Sequence, residues 1–246
     1  MSYFVSGINA VRETLRKGNT IIEIFIAEQR KMYRIQEILD LAEKKGVPVK
    51  FKDKAYIDGI MPNLSHQGIV ALLKNYRYFN LDELIKIAIE SDGKGLLLVA
   101  DHITDTGNLG ALIRTAEFFG VQGLILPKDR SACINDIVHK TSAGGSAHLP
   151  VTRVVNLSRA IDKLVKNNVW IIGASGESNT NIYEFDWRRD VALVMGNEEK
   201  GLARIVREKC DHIVSIPGFG QINSLNVSVA SGVIFSEIVR QRSFSK

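Results

Sequence analysis

Three short polar stretches hold the residues able to do chemistry. In the first, Asp101-His102-Ile103-Thr104-Asp105-Thr106-Gly107-Asn108 leads into Leu109-Gly110-Ala111-Leu112-Ile113-Arg114. Asn108 is of the type that caps a helix start. Arg114 falls among Leu112, Ile113, Ala116 and Phe119, where a guanidinium is costly to bury unpaired. It either meets an anion or reaches along the helix to Glu117. The second stretch, Gly196-Asn197-Glu198-Glu199-Lys200-Gly201, spaces two glycines five apart. It is neither a dinucleotide fingerprint nor a P-loop, because Lys200 precedes the second glycine and no Ser or Thr follows. Its glycines would let backbone approach a flat ligand, or the stretch is a strand-to-helix turn whose Glu198 and Glu199 complement a helix dipole. The third runs from Ile216 through Gly218 and Gly220 to Ser224, Asn226 and Ser228: a glycine-rich bend, a Ser cap, and an otherwise apolar helix. Further along, Ser231, Gly232 and Ser236 put small residues on one face, suited to close helix packing.

The elements that must position these loops are a repeating strand-helix series. Strands are predicted at Leu96 to Ala100, Gly123 to Leu126, Val169 to Ala174, Val191 to Met195 and His212 to Ile216. Continuous apolar runs of this kind are buried on both faces, which predicts a parallel sheet covered by helices. Ligands of such sheets bind beyond the carboxyl ends of the strands, which puts the chemistry in the loops after Ala100, Met195 and Ile216. The earlier chain predicts a small α/β domain. Its strands are Tyr3 to Ser6, Ile21 to Ile26 and Gly68 to Leu73; one helix covers Ile8 to Leu15 and another carries Ile35, Ile38, Leu39 and Ala42. Gly46 and Pro48 close that second helix and open a further strand. The expected division is 1–74 for the first domain, 75–94 for a linker with an amphipathic helix at Leu81 to Glu90, and 95–246 for the second domain.

Charge divides unevenly along the 246 residues: residues 1 to 80 carry 13 Lys and Arg against 8 Asp and Glu, and the remainder 19 against 19. The excess suits a module that touches a phosphate backbone, or simply a solvated surface. Cys133 and Cys210 form no CxxC and the five histidines show no ligand spacing, so neither a metal nor a disulfide is expected. No apolar run reaches bilayer length and Met1 to Gly7 lacks a signal-peptide core, so no membrane association and a cytoplasmic location are expected.

Asn108-Leu109-Gly110-Ala111-Leu112-Ile113-Arg114, Met195-Gly196-Asn197-Glu198 and Ser224-Leu225-Asn226-Val227-Ser228-Val229-Ala230 resemble, in order, the three motifs of the SpoU (TrmH-like) RNA ribose methyltransferases of the SPOUT superfamily. The bacterial 23S ribosomal RNA guanosine 2′-O-methyltransferases are the nearest branch. Ser6-Gly7-Ile8-Asn9-Ala10-Val11 resembles the L30e-like substrate-binding domain that precedes the methyltransferase in bacterial members. The resemblance implies an α/β SPOUT fold with a parallel sheet, a C-terminal trefoil knot, and an active site formed in a homodimer. It implies S-adenosylmethionine as methyl donor and RNA, 23S ribosomal RNA foremost, as partner. Carried over by motif, the catalytic set is Asn108, Arg114, Glu198, Ser224 and Asn226, and the donor-binding set is Gly196, Ile216 and Leu225. Thr106, Glu199 and Gly218 depart from the family's usual proline, glycine and methionine.

Three rivals stand beside this reading. A nucleotide-dependent oxidoreductase fits the sheet but lacks the glycine fingerprint. A catalytically silent RNA-binding or ribosome-assembly factor fits the fold but leaves Arg114, Glu198 and Asn226 without a task. Methylation of transfer RNA fits every residue equally.

Overall fold

The structure, a computed structural model, describes residues 3–17, 21–28, 33, 35–61, 66–73, 76–91, 94–222 and 224–244. The chain begins β1 (Tyr3–Ser6), α1 (Ile8–Lys17), β2 (Ile21–Ala27), α2 (Gln36–Lys44), β3 (Val49–Lys52), α3 (Lys54–Ile60) and β4 (Ile69–Leu73). It continues α4 (Leu81–Ile89), β5 (Leu96–Ala100), α5 (Thr106–Phe118), β6 (Gly123–Pro127), α6 (Asp136–Thr141), α7 (Gly145–His148), β7 (Val151–Val154) and α8 (Leu157–Val165). It ends with β8 (Trp170–Ala174), β9 (Val191–Met195), α9 (Arg204–Arg207), β10 (His212–Val214) and α10 (Val227–Phe244). These elements sort into two compact units, Met1–Arg77 with Ile134–His148, and Tyr78–Cys133 with Leu149–Lys246.

The first unit is built on a four-stranded sheet in the order β1-β4-β2-β3. Strand β4 pairs antiparallel with both β1 and β2, while β2 and β3 run parallel. Helix α1 buries Ala10, Val11, Thr14 and Leu15, the stripe expected of a surface helix laid on a sheet. Of those, Ala10, Val11 and Leu15 share a core with Ile24, Ile26, Ile38, Ala42, Ile69 and Ala71. A second cluster joins Ala27, Ile57, Met61 and Val70, with Phe4 and Ile60 packed against it. Helix α3, absent from the sequence prediction, is capped by Asp53, whose carboxylate accepts the Tyr56 amide at 2.7 Å. Helix α6 belongs here too: Asp136 Oδ1 accepts the backbone N–H of Phe4 at 2.9 Å, and His148 meets Glu13 at 3.0 Å.

The second unit carries six strands, all parallel, in the order β10-β8-β9-β5-β6-β7. Strands β5, β6 and β9 are buried at every residue, the reason they read as unbroken apolar runs. Helices α4 and α8 contribute Leu84, Ile85, Leu157, Ile161 and Leu164 to one core with Leu97, Val99, Ile125, Ala192 and Val194. Helix α10 packs on α5, and a Cβ added at Gly232 would lie 3.3 Å from Thr115 Cγ2, which bears out the small-residue face as a packing device.

Three features differ from the sequence expectation. That expectation puts α4 in a linker, yet Leu84, Ile85 and Ala88 are core residues of the second unit, because its apolar face meets the sheet rather than solvent. It puts residues 134–148 in the second domain, yet they pack with the first unit. The β8-to-β9 connection also lacks a crossover helix; it is held instead by buried Trp187, whose indole N–H donates to the Ile182 carbonyl at 2.8 Å. Among the described residues no helix is long and apolar enough to cross a membrane.

Candidate active site

Beyond the carboxyl ends of β8, β9 and β10 lies a cavity of about 430 Å³, reached by Ala174, Met195 and Val214. Its position follows the rule for open parallel sheets, and its volume falls in the range of about 300–1,000 Å³ common to small-molecule sites. Gly196, Glu198, Ile216, Ser224 and Leu225, five of the eight site residues expected from sequence, line it.

The loop after β9 is locked before it meets any ligand. Asn197 and Gly201 exchange backbone hydrogen bonds at 3.0 and 2.8 Å. The Asn197 side chain accepts the Glu199 amide at 3.0 Å and donates to the His102 carbonyl at 3.0 Å. Gly196 is obligatory here: an added Cβ would sit 2.3 Å from the Gly201 carbonyl carbon. The Gly196–Gly201 stretch is not the strand-to-helix turn offered as its alternative, since α9 begins only at Arg204. Glu198 and Glu199 therefore have no adjacent helix dipole to complement, and Glu198 is free for tertiary contacts.

Helix α5 starts earlier than the sequence suggests. Its cap is Asp105, whose carboxylate accepts the Asn108 amide at 2.6 Å, so Asn108 is the third helical residue rather than the cap. The side chain of Asn108 is thereby released, and it donates to Glu198 Oε1 at 2.8 Å. Asn226 donates in turn to Asn108 Oδ1 at 2.8 Å. Asn226, not Ser224, stands at the start of α10: its carbonyl accepts the Ala230 amide and its side-chain oxygen the Ser228 amide, both at 2.9 Å. Three residues separated by 90 and 118 positions thus converge on one rim.

Arg114 is placed differently. It is exposed, it does not line the cavity, and among the described residues no carboxylate or carbonyl pairs with it. Neither local expectation holds: the guanidinium is not buried against an internal anion, and it does not reach Glu117. Six residues along a helix put it roughly 9 Å further down the axis than Asn108 and on a different face.

Sequence reasoning missed the loop after β8, although Ser175 and Gly176 line the cavity and the strand-end rule that selects the other loops applies equally to Ala174. It also missed Asp101, which accepts the Ala203 amide at 2.7 Å, and the left-handed His102 beside it, φ 59°. Histidine is only modestly enriched at positive φ, too weak a signal to single out His102 from residue type.

The cavity fits a nucleoside-like ligand bearing a charged end. Met195, Val214, Ile216, Leu225 and Ile234 form an apolar wall, and Glu198 sets a carboxylate at the rim. Added Cβ atoms at Gly218 and Gly220 would meet nothing within 4 Å, so the bend before α10 keeps its backbone open to a ligand.

The fold and this rim describe a methyltransferase-like α/β protein, and the chain belongs to the SpoU rRNA Methylase family, whose model matches residues 95–236. A second model, described as RNA 2′-O ribose methyltransferase substrate binding, matches residues 4–79. The chain is 38% identical over 244 residues to the 23S rRNA (guanosine-2′-O-)-methyltransferase RlmB of Escherichia coli K12, covering 99% of this chain and 100% of that one. It is 41% identical over 240 residues to the protein of the same name from Xylella fastidiosa strain 9a5c, covering 97% and 96%. Among solved structures, the SpoU methyltransferase AviRb from Streptomyces viridochromogenes shares the fold with a TM-score of 0.83 at 24% identity, over 98% of this chain and 90% of that one.

Proposed function

We propose that this protein transfers a methyl group from S-adenosylmethionine to a ribose 2′-hydroxyl of structured RNA, a guanosine of 23S ribosomal RNA. The observation that carries the reading is that the second and third motif loops line one cavity beyond the strand ends, and the first is tied to them by the hydrogen bonds of Asn108 with Glu198, a lining residue, and with Asn226. Relatives named for the guanosine reaction, matching the chain from end to end, support the substrate. When bound, S-adenosylmethionine supplies an electrophilic methyl on a sulfonium whose leaving thioether is neutral.

Such a reaction asks the protein chiefly for alignment. Gly196, Ile216 and Leu225 would hold the donor, the apolar wall taking the adenine and backbone near Gly196 approaching its edge. Ser224 would hold the ribose. Arg114 would clamp an RNA phosphate through its planar fork and stabilise the developing alkoxide. A guanidinium keeps its proton throughout the working range and is a poor base, so the hydroxyl proton passes late to phosphate or water. The first unit, L30e-like in this reading and carrying the whole positive excess, would select RNA by shape and phosphate contacts.

The same reading threads the C-terminal part of the sheet into a trefoil knot, pairs two copies in a homodimer and sets the protein in the cytoplasm. The dimer draws support from Arg114, which stands exposed and off its own cavity, as a site completed by a second copy requires. Exposed Phe118 on α5 and Val229 on α10 add apolar surface for such a contact. The test is labelled S-adenosylmethionine offered with ribosomal RNA lacking ribose methylation and, separately, with unmodified transfer RNA. Label in ribosomal RNA alone is expected. Label in transfer RNA alone would replace the substrate, and RNA binding with no label in either would favour the silent assembly factor.

A further inference from the structure

The start of α10 decides which way two side-chain amides point. Asn226 Oδ1 accepts from the Ser228 backbone N–H at 2.9 Å and the Ser228 hydroxyl at 2.7 Å. Its oxygen committed, Asn226 has only its amide nitrogen for Asn108, and it donates to Asn108 Oδ1. Asn108 in turn has only its nitrogen left for Glu198, and donates to Oε1. Every bond runs in one direction, from helix cap to carboxylate, and turning either amide sets donor against donor or acceptor against acceptor. Among the described residues Glu198 Oε2 has no partner in the chain, and Glu198 lines the cavity.

We infer that Asn226 and Asn108 are positioning residues forming a one-way amide relay, set by the α10 cap, that holds Glu198 as an acceptor with Oε2 left for a donor on the bound ligand. The inference rests on the reading that the cavity takes S-adenosylmethionine. It moves both asparagines from reacting groups to groups that act through Glu198, and gives Ser228 the task of setting the polarity.

Asn226→Asp separates polarity from capping, because an aspartate caps a helix as well as an asparagine does yet cannot donate. Asn108 must then turn its nitrogen to the introduced carboxylate and its oxygen to the Glu198 carboxylate. Glu198→Gln removes that conflict, since a carboxamide can donate to the turned Asn108. The four combinations of full-length protein are compared by calorimetric titration with S-adenosylhomocysteine and by thermal unfolding without ligand. Asn226→Asp is expected to weaken binding roughly tenfold and lower the unfolding midpoint when Glu198 is intact, and to cost less than about threefold in the Glu198→Gln background. Equal cost in both backgrounds refutes the relay. Direct repulsion between the introduced carboxylate and Glu198 would also couple the two sites, so the cycle is repeated with Asn108→Ala. The relay requires the coupling to vanish there, and coupling that persists overturns it. If the wild-type protein binds no S-adenosylhomocysteine, the cavity assignment fails, while the unfolding cycle still judges the relay.

Discussion

Gly196 has far less room for a side chain than Gly201, Gly218 or Gly220, which line the same cavity. Three backbone atoms of Gly201 and Leu202 stand within 2.5 Å of where its Cβ would be, and backbone cannot swing aside as a side chain can. Gly196→Ala is expected to cost about 1–3 kcal/mol of stability and to weaken S-adenosylhomocysteine binding, both read by melting with and without ligand; an unchanged midpoint would mean the loop is looser than drawn. Arg114 is the opposite case. Arg114→Lys is expected to lower methyl transfer at least tenfold while leaving S-adenosylhomocysteine affinity within about twofold, because Lys loses the bidentate fork but the cavity does not include the residue. Equal loss of binding and turnover would place Arg114 in the donor site instead. Residue types made Glu198 and Asn226 visible in the sequence. For Glu198 the motifs leave Arg114 and Asn108 open as partners, and the structure pairs it with Asn108, a choice that depends on how two loops 90 positions apart meet.

At the scale of elements, α10 secures the helix-free β8-to-β9 connection. Arg242 donates to the carbonyls of Lys94 at 2.7 Å, Trp187 at 2.9 Å and Arg189 at 2.6 Å, and burial holds its guanidinium below its usual range. Arg242→Lys leaves carbonyls of this fork unserved and is expected to cost about 1–3 kcal/mol in denaturant unfolding; a neutral result would show water replacing the fork. In α6, burial pushes the His139 imidazole down to about 4 from an ordinary value of 6.5. The unfolded chain therefore binds the extra proton between those values, and stability is complete above pH 6.5 and falls as pH drops toward 4. His139→Gln is expected to flatten that part of the melting-against-pH curve, whereas an unaltered slope would assign the acid sensitivity elsewhere. The buried strands were legible because parallel sheets demand unbroken apolar runs. Strand β7 and helices α3, α6 and α7 were not, because each is seven residues or shorter, too short for a repeating apolar pattern to stand out.

At the scale of the molecule, chain order and compact units do not coincide. Residues 134–148 leave the second sheet between β6 and β7 and fold with the first unit, so a cut near residue 80 would strip α6 and α7 of their neighbours as well as removing the first unit's sheet. Composition shifts pointed to two domains but could not show this, since Ile134 and Val138 read as apolar residues suited to either core. The uneven charge was legible, 13 Lys and Arg against 8 Asp and Glu over residues 1 to 80, but charge alone does not separate a phosphate-binding module from a solvated surface. The most direct test of the central claim is nucleoside analysis of 23S ribosomal RNA, prepared without ribose methylation, after incubation with the protein and S-adenosylmethionine. One 2′-O-methylguanosine at a single position, absent with Arg114→Ala, is the result expected. A methyl group on a base, or a 2′-O-methyl formed equally by the Arg114→Ala protein, would contradict it.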